Sequence, residues 1–293
     1  MRYFRDKLAM RMKALESGIR VPNFIPVLTH EDIRYYLDHV PGPWVLKPRS
    51  EASAIGIRKV DSAEDLWPVL ESLGDQQSSF LLEKFVPGDV YHVDSVVSEQ
   101  EVVFSSVSRY GTPPMAVAQQ GGIFTTYLLP DESQEAVSLR QGNRDLIKAL
   151  GLVRGVSHAE FIQARSDRHF YFLECAARVG GAYIGEMVEA ATGINLWREW
   201  ARIEIAGGKQ PYHLPAARGD YAGIILSLAR QEEPDTSGYK DPEIALRLKK
   251  RHHAGLVLRS HDPTRILSLL ENYSQRFAED FFAIEPQGTK PAA

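Results

Sequence analysis

Residues 156–181 decide the fold, and they read VSHAEFIQARSDRHFYFLECAARVGG. Aromatic and apolar residues crowd together at positions 170–173, as is typical of a β-strand, whereas positions 165–169 carry only charged and small polar side chains. The pattern predicts two strands joined by a short polar turn. If the hairpin is centred on Asp167, Glu160 lies directly opposite Glu174, because the two positions are equidistant from the centre.

Two carboxylates that face each other across a β-ladder repel. They are tolerated when a cation lies between them or when one of them holds a proton. A bound divalent metal ion is the simplest such cation, so we expect Glu160 and Glu174 to bind a metal. The alternative is a register that differs by one residue and leaves both glutamates on a solvent face.

Length and composition restrict the class of protein. The 293 residues suffice for about two domains, and 44% hydrophobic with 25% charged residues is ordinary for a globular protein. A net charge of −4 offers no electrostatic basis for binding nucleic acid or an anionic membrane. The first residues have no long apolar core, so we expect no secretory signal, and no run of about 18 apolar residues suggests a membrane span. One cysteine, Cys175, excludes an internal disulfide, and we expect a cytoplasmic protein.

The beginning of the chain predicts a helix. Residues 1–17 have apolar residues at helical spacing, and Gly18 provides a stop. The apolar positions are Phe4, Leu8, Met12 and Leu15. Lys7 lies within this helix and taken by itself is an ordinary surface lysine.

Lys47 ends a predicted short strand, residues 44–47, and precedes a loop of small residues with a single glycine, Gly56. Small residues let backbone N–H groups approach an anion, so this arrangement suits a phosphate contact. The alternative is a hairpin between two core strands with Lys47 at a solvated edge.

A second pair of predicted strands, residues 79–85 and 90–97, meets at a Pro-Gly bend. The bend forms a hinge whose main-chain groups are suited to a flat heterocycle, with Glu83 and Lys84 nearby; the alternative is a plain hairpin. His92 and Asp94 are two residues apart and therefore share a face. Residues 110–130 are rich in Gly, Pro and Gln, and we expect this long loop to act as a lid.

The second half of the chain predicts further helices and strands. We expect helices at 131–150, 183–191 and 196–205, strands at 221–229 and 254–260, and a helix at 265–277. The basic run 247–253 is interpreted as a solvated helix end rather than a nucleic-acid patch.

Six short motifs together resemble the ATP-grasp superfamily. They are RDK at 5–7, VLKP at 45–48, LEKFVPG at 82–88, HVD at 92–94, HAEF at 158–161 and ECAAR at 174–178. Each motif alone is weak, but their common order and spacing are specific. The resemblance covers the chain to about Gly208, and it is strongest to the group that includes biotin carboxylase and the carboxylate–amine ligases, such as L-amino acid ligases.

The resemblance implies an α+β fold, in which two α+β subdomains clasp a nucleotide between antiparallel sheets. The expected ATP-grasp domain is 1–208, with an N-terminal part to about 42, a nucleotide-lid subdomain at about 43–85 and a catalytic sheet subdomain at about 86–208. A small C-terminal α/β lobe at 209–284 and a disordered tail at 285–293 would follow. Most relatives carry a Rossmann-like domain before the RDK helix, and we expect this chain to lack it.

The resemblance also implies ATP and Mg²⁺ as cofactors and assigns a role to each motif. Lys7 and Lys47 would contact the phosphates, and Glu160 and Glu174 would bind Mg²⁺. The adenine would be held mainly by main-chain groups of four hinge residues. These are Glu83, Lys84, Phe85 and Val86. His92 or Asp94 would approach the ribose.

In such enzymes a substrate carboxylate attacks the γ-phosphate, and an amine or similar nucleophile then attacks the acyl phosphate. Arg178, four residues beyond Glu174 and on the same strand face, would stabilise the acyl-phosphate oxygen. The resemblance thus implies small-molecule carboxylate and amine substrates. The alternatives are a biotin-carboxylase-like enzyme or a nucleotide-binding module without turnover.

Two residues depart from the family pattern. The family usually has Asn two positions after the second metal-binding Glu, and this chain has Ala176, which removes one metal oxygen. The resemblance therefore implies one firmly bound Mg²⁺. Glu51 in the expected phosphate loop adds a negative charge near the phosphates.

Overall fold

The computed structural model describes residues 2–51, 56–210 and 212–283. Part of the expected phosphate loop, residues 52–55, and the predicted tail at 285–293 lie outside the described residues. The helices are α1 (Lys7–Glu16), α2 (His30–His39), α3 (Ala63–Leu73), α4 (Pro114–Gln120), α5 (Gln134–Leu150), α6 (Ile184–Thr192), α7 (Leu196–Ala206) and α8 (Pro263–Asp280). None of the helices in these ranges has the length and apolar character that a membrane crossing needs.

The strands form two antiparallel sheets. The small sheet has the order β1-β4-β2-β3, built from β1 (Phe24–Pro26), β2 (Trp44–Pro48), β3 (Arg58–Val60) and β4 (Phe80–Lys84). The large sheet has the order β11-β12-β10-β7-β6-β5-β8-β9. Its strands are β5 (Gly88–Ser98), β6 (Glu101–Tyr110), β7 (Phe124–Leu128), β8 (Gly155–Ala164), β9 (Phe170–Ala176), β10 (Tyr221–Leu228), β11 (Ile244–Arg247) and β12 (His253–Ser260). This is the predicted α+β architecture of antiparallel sheets.

Side chains alternate along the strands of the small sheet, so one face of the sheet is apolar and the other is polar. Leu46 and Leu82 are opposite each other and pack with the apolar side chains of α2 and α3. Because side chains alternate along a strand, Lys47 and Glu83 lie on the other face of the sheet. The helices thus cover one face, and the charged pair faces the large sheet.

Helices cover both faces of the large sheet. The register places Val93, Val107 and Ile225 on one face, where α1, α5 and α8 pack. Val96 and Ile224 lie on the opposite face under α6 and α7. Towards β8 and β9 that second face carries polar side chains instead, and this end of it meets the small sheet.

Residues 110–130 differ from the predicted loop. They contain α4 and β7, and β7 pairs with β6 on one side and β10 on the other. The prediction was wrong because the polar residues of β7 resemble a loop. Thr126 is fully buried, and its hydroxyl is hydrogen-bonded to Arg109 O at 3.1 Å inside the sheet.

The C-terminal segment extends the large sheet. Strands β10, β12 and β11 continue the sheet beyond β7, and α8 covers them with a core that includes Tyr273 and Phe277. The sequence suggested that the basic run 247–253 is a helix end, and this is wrong. Arg247 ends β11, and the residues after it form the turn into β12, where Leu248 is buried.

Helix α1 begins later than predicted and buries a different face. Asp6 caps it, since its carboxylate accepts from Leu8 N at 3.0 Å, so the helix starts at Lys7. Of the apolar positions at helical spacing, Leu8 is buried, but Met12 and Leu15 are 49% and 58% exposed. The buried positions include Lys7 and Arg11, one turn apart on the same side of the helix.

Candidate active site

A cavity of about 430 Å³ lies between the two sheets. Nine of the eleven residues that the sequence predicted for the site line it. From the small sheet and the connection to β5 these are Lys47, Glu83, Lys84, Phe85 and Val86, and from α1 and the large sheet they are Lys7, Glu160, Glu174 and Arg178. The fold thus gathers residues that are far apart in the sequence around one space.

The two glutamates face each other as the hairpin pattern predicted. Glu160 in β8 is directly opposite Glu174 in β9. A β-bulge follows, because Phe161 pairs with Phe172 and leaves Leu173 as the extra residue. The register predicted from a centre at Asp167 is therefore right for the glutamate pair. Between the bulge and the turn, the observed register differs from it by one residue.

Each of these carboxylates has its own partner. Glu174 Oε2 lies 3.1 Å from Lys7 Nζ. Glu160 Oε1 accepts from the Tyr110 hydroxyl at 2.8 Å and lies 3.5 Å from His158 Nε2. Repulsion between the opposed glutamates is thus relieved by a lysine on one side and by donors from the large sheet on the other.

A second charged cluster joins the small sheet to α1. Glu83 Oε1 forms an ion pair with Lys47 Nζ, and Glu83 Oε2 accepts from Arg11 Nη2 at 2.9 Å. All three side chains are almost fully buried. Burial lowers the pKa of Lys47 to about 8, against the opposite effect of Glu83. Burial raises the pKa of Glu83, but Arg11 and Lys47 outweigh it and hold this pKa below its usual value.

Sequence reasoning missed Arg11. The sequence feature that could have identified Arg11 is its spacing from Lys7. The two basic residues are one turn apart and therefore lie on one side of the predicted helix. Tyr110 was also missed as a site residue, because it was placed in the loop instead of at the end of β6.

The segment that connects the two sheets forms only some of the main-chain hydrogen bonds that it could form. Phe85 N donates to Pro43 O at 3.0 Å, and Lys84 Nζ donates to Gly42 O at 3.0 Å. Val86 also lines the cavity. Within the described part of the chain, its amide and carbonyl have no hydrogen-bond partner.

The structure does not bring His92 and Asp94 to the cavity. Both side chains are fully buried on the same face of the large sheet as Glu160, where the rings of Tyr110 and His158 pack against His92. Asp94 accepts from Nδ1 of His92 at 2.6 Å and from Nδ1 of His158 at 2.9 Å. The structure therefore does not support the predicted contact of His92 or Asp94 with a ribose.

His158 links this buried cluster to the cavity. It lines the cavity and approaches Glu160, while its other ring nitrogen meets Asp94. Burial lowers the pKa of His158, but Asp94 and Glu160 outweigh it and raise this pKa to about 10. The HVD motif thus supports His158, a residue of the cavity wall, from the neighbouring strand on the same face of the sheet.

The match to a known family agrees with this geometry. Residues 40–186, half of the chain, match the ATP-grasp domain. The chain belongs to the ATP-grasp family. It is 26% identical over 209 residues to the L-arginine-specific L-amino acid ligase of Bacillus subtilis, which covers 69% of this chain and 50% of that protein. The chain therefore spans about half the length of this curated relative.

Solved structures share the ATP-grasp fold. An L-amino acid ligase from Bacillus licheniformis has a TM-score of 0.72 at 17% identity, covering 97% of this chain and 73% of that one. The N5-carboxyaminoimidazole ribonucleotide synthetase of Thermus thermophilus has a TM-score of 0.72 at 22% identity, covering 97% of this chain and 74% of that one. These likenesses extend over the whole described architecture, including the C-terminal strands.

One position near the end of the ATP-grasp hairpin differs from expectation. β9 ends at Ala176, so Arg178 lies in the bend after the strand and not on its face. Its Nη1 donates to Val179 O at 2.8 Å, and the side chain still lines the cavity. Ala176 lies opposite His158, and its methyl group offers no metal ligand.

Proposed function

We propose that this chain carries the nucleotide-binding and catalytic part of an ATP-dependent ligase, which activates a carboxylate as an acyl phosphate for attack by an amine. One observation carries the proposal: Glu160 and Glu174 face each other on the same cavity that Lys7, Lys47 and Arg178 line. Opposed carboxylates suit a divalent cation, and the surrounding cations suit phosphate groups.

The donor set fits Mg²⁺, because carboxylate oxygens are the ligands that this hard cation prefers. The side chains of Glu160 and Glu174 are 18% and 33% exposed, so both remain accessible from the cavity. When bound, Mg²⁺ would neutralise the charge of the nucleotide phosphates. Because Ala176 provides no oxygen, the side chains of this hairpin support one magnesium ion.

The nucleotide would extend from the hinge to the lysines. The free amide and carbonyl of Val86 suit the hydrogen-bonding edge of adenine, whereas the amide of Phe85 is already used. Lys47 on β2 and Lys7 at the start of α1 both line the cavity and would contact the phosphates. Lys7 would exchange its contact with Glu174 for a phosphate oxygen.

Binding and charge stabilisation are the main tasks of these residues. The carboxylate substrate must meet the γ-phosphate in line, and the two sheets would hold both reactants and exclude water. Arg178 would stabilise the oxygens of the acyl phosphate as charge develops there. The amine would then attack the same carbonyl carbon and release phosphate.

A phosphate-release screen tests the proposal. The protein is incubated with Mg·ATP, a panel of amino acids and other carboxylates, and an amine acceptor. We expect phosphate release that needs both substrates and is lost in Glu174→Gln, while Glu271→Gln on the exposed side of α8 keeps it. ATP binding without phosphate release for any pair would contradict a ligase and favour a nucleotide-binding module.

A further inference from the structure

We propose that Arg11 is a positioning residue for the cavity: its guanidinium group holds the Glu83–Lys47 pair of the small sheet and the strand that carries Glu174 in one fixed arrangement. The inference rests on the proposed function, because it assigns nucleotide contact to Lys47 and metal binding to Glu174.

The guanidinium divides its donors between the two sheets. On one side, Arg11 Nε and Nη2 donate to Glu83 Oε2 at 3.1 and 2.9 Å. On the other side, Nη1 donates to Phe172 O at 2.6 Å and also to Leu173 O. The side chain is fully buried. A planar group with five donors in a fixed geometry couples the positions of everything that it binds.

The contact on the large sheet lies at the bulge. Successive carbonyls of a regular strand point in opposite directions, yet those of Phe172 and Leu173 both accept from one nitrogen of Arg11. The bulge makes this possible because it turns one peptide group out of the ladder. Glu174 is the next residue. Arg11 therefore fixes the direction of the backbone from which the Glu174 side chain enters the cavity.

The contact with Arg11 also satisfies backbone groups at the edge of β9. β9 is the last strand of the large sheet, so one of its edges has no neighbouring strand among the described residues. Arg11 and Arg20 O, which accepts from Phe172 N at 2.8 Å, satisfy backbone groups on this edge. Without the guanidinium, a buried and a partly buried carbonyl would lose this donor, and the bulge would be free to rearrange.

The contact on the small sheet controls the neighbour of Lys47. Glu83 presents one oxygen to Arg11 and the other to Lys47. Arg11 thereby compensates part of the charge of Glu83, and Lys47 remains able to bind a phosphate as well. If Arg11 is absent, Lys47 is the main cation near this buried carboxylate and is held more tightly by it.

The conservative variant Arg11→Lys separates positioning from charge. Lysine keeps the positive charge beside Glu83 but cannot donate to the carboxylate and to both carbonyls at once. ATP affinity is measured by calorimetry with and without Mg²⁺, after thermal unfolding has shown that the variant folds. We expect ATP affinity without Mg²⁺ to change less than about threefold and the gain in affinity from Mg²⁺ to fall at least about tenfold, because the strand of Glu174 is no longer held.

Arg247→Lys is the matched control. Arg247 also binds two backbone carbonyls, those of Thr236 and Tyr239, but it lies away from the cavity. We expect it to lower the unfolding temperature and leave the Mg²⁺ gain unchanged. A folded Arg11→Lys protein with the wild-type Mg²⁺ gain overturns the inference. If Arg11→Lys fails to fold, Leu173→Pro is measured instead, because it perturbs the bulge through the backbone of β9. This variant must reduce the gain in ATP affinity from Mg²⁺. A wild-type gain in Leu173→Pro overturns the inference as well.

The readout distinguishes the two proposals. Wild-type protein that binds no ATP in either condition contradicts the proposed function, and the role of Arg11 falls with it. Wild-type protein that gains affinity from Mg²⁺, with Arg11→Lys equal to it, leaves the proposed function standing and rejects only the role of Arg11.

Discussion

The substitution Lys7→Met tests whether Lys7 competes with a divalent cation for Glu174. The two charged groups are 3.1 Å apart, and their side chains are 7% and 33% exposed. At this distance the attraction is about 1 kcal/mol with the dielectric constant of water and about 5 kcal/mol at an effective value of 20. Because Glu174 is partly exposed, we expect a value of about 1 to 3 kcal/mol.

Methionine keeps the length and the apolar stem of lysine and removes its charge. Glu174 then has no competing cation from α1, and the incoming metal ion meets less repulsion. The affinity for Mg²⁺ or Mn²⁺ without nucleotide should rise by roughly 5-fold to 100-fold, since about 1.4 kcal/mol corresponds to a factor of ten. The affinity for ATP should fall, because a phosphate contact is lost.

Calorimetric titration with Mn²⁺, and then with ATP, measures both effects on one sample. Lys13→Met is the matched control, because Lys13 lies on the same helix and its side chain is 35% exposed. Adding Glu174→Gln should abolish the gain in metal affinity. A Lys7→Met protein that folds but binds the divalent cation no more tightly than the wild type would refute the reasoning.

Three further predictions concern single positions. Burial lowers the pKa of Lys47 to about 8 in spite of Glu83, so ATP affinity should fall as the pH rises through that value and the amine loses its charge; Lys47→Arg should flatten this profile in calorimetric titrations. Gly180→Ala places a Cβ 2.9 Å from His158 Nδ1 and should destabilise the protein by about 1 to 3 kcal/mol in denaturant unfolding. Gly142→Ala, in helix α5 with nothing within 4 Å of its Cβ, should instead stabilise it by roughly 0.5 to 1 kcal/mol. Equal effects at the two glycines would contradict the packing argument.

Local patterns predicted much of the candidate site. The glutamate pair followed from the symmetry of one hairpin, and Lys47 followed from a short apolar strand that ends in a lysine. Both depend on alternation along a strand, which neighbouring residues specify. Helix α3 begins at Ala63 because Ser62 caps it, which is again a local interaction.

Long-range pairing decided what local patterns could not. β7 is a central strand because β6 and β10 pair with both of its edges, and its two threonines did not reveal this in isolation. β10 and β12 join the large sheet for the same reason. A strand's place in a sheet depends on partners distant in the chain, so composition alone does not locate it.

The sequence by itself determined that opposed carboxylates, a lysine-ended strand and a Pro-Gly hinge belong to one protein of the ATP-grasp family. Only the tertiary structure decided which charges meet. It buried His92 and Asp94 on one face of the large sheet, and it brought Lys7 and Arg11 from α1 to Glu174 and Glu83. The physical reason is that a buried charge requires a partner, and the partner is chosen by how sheets and helices pack and not by proximity in the chain.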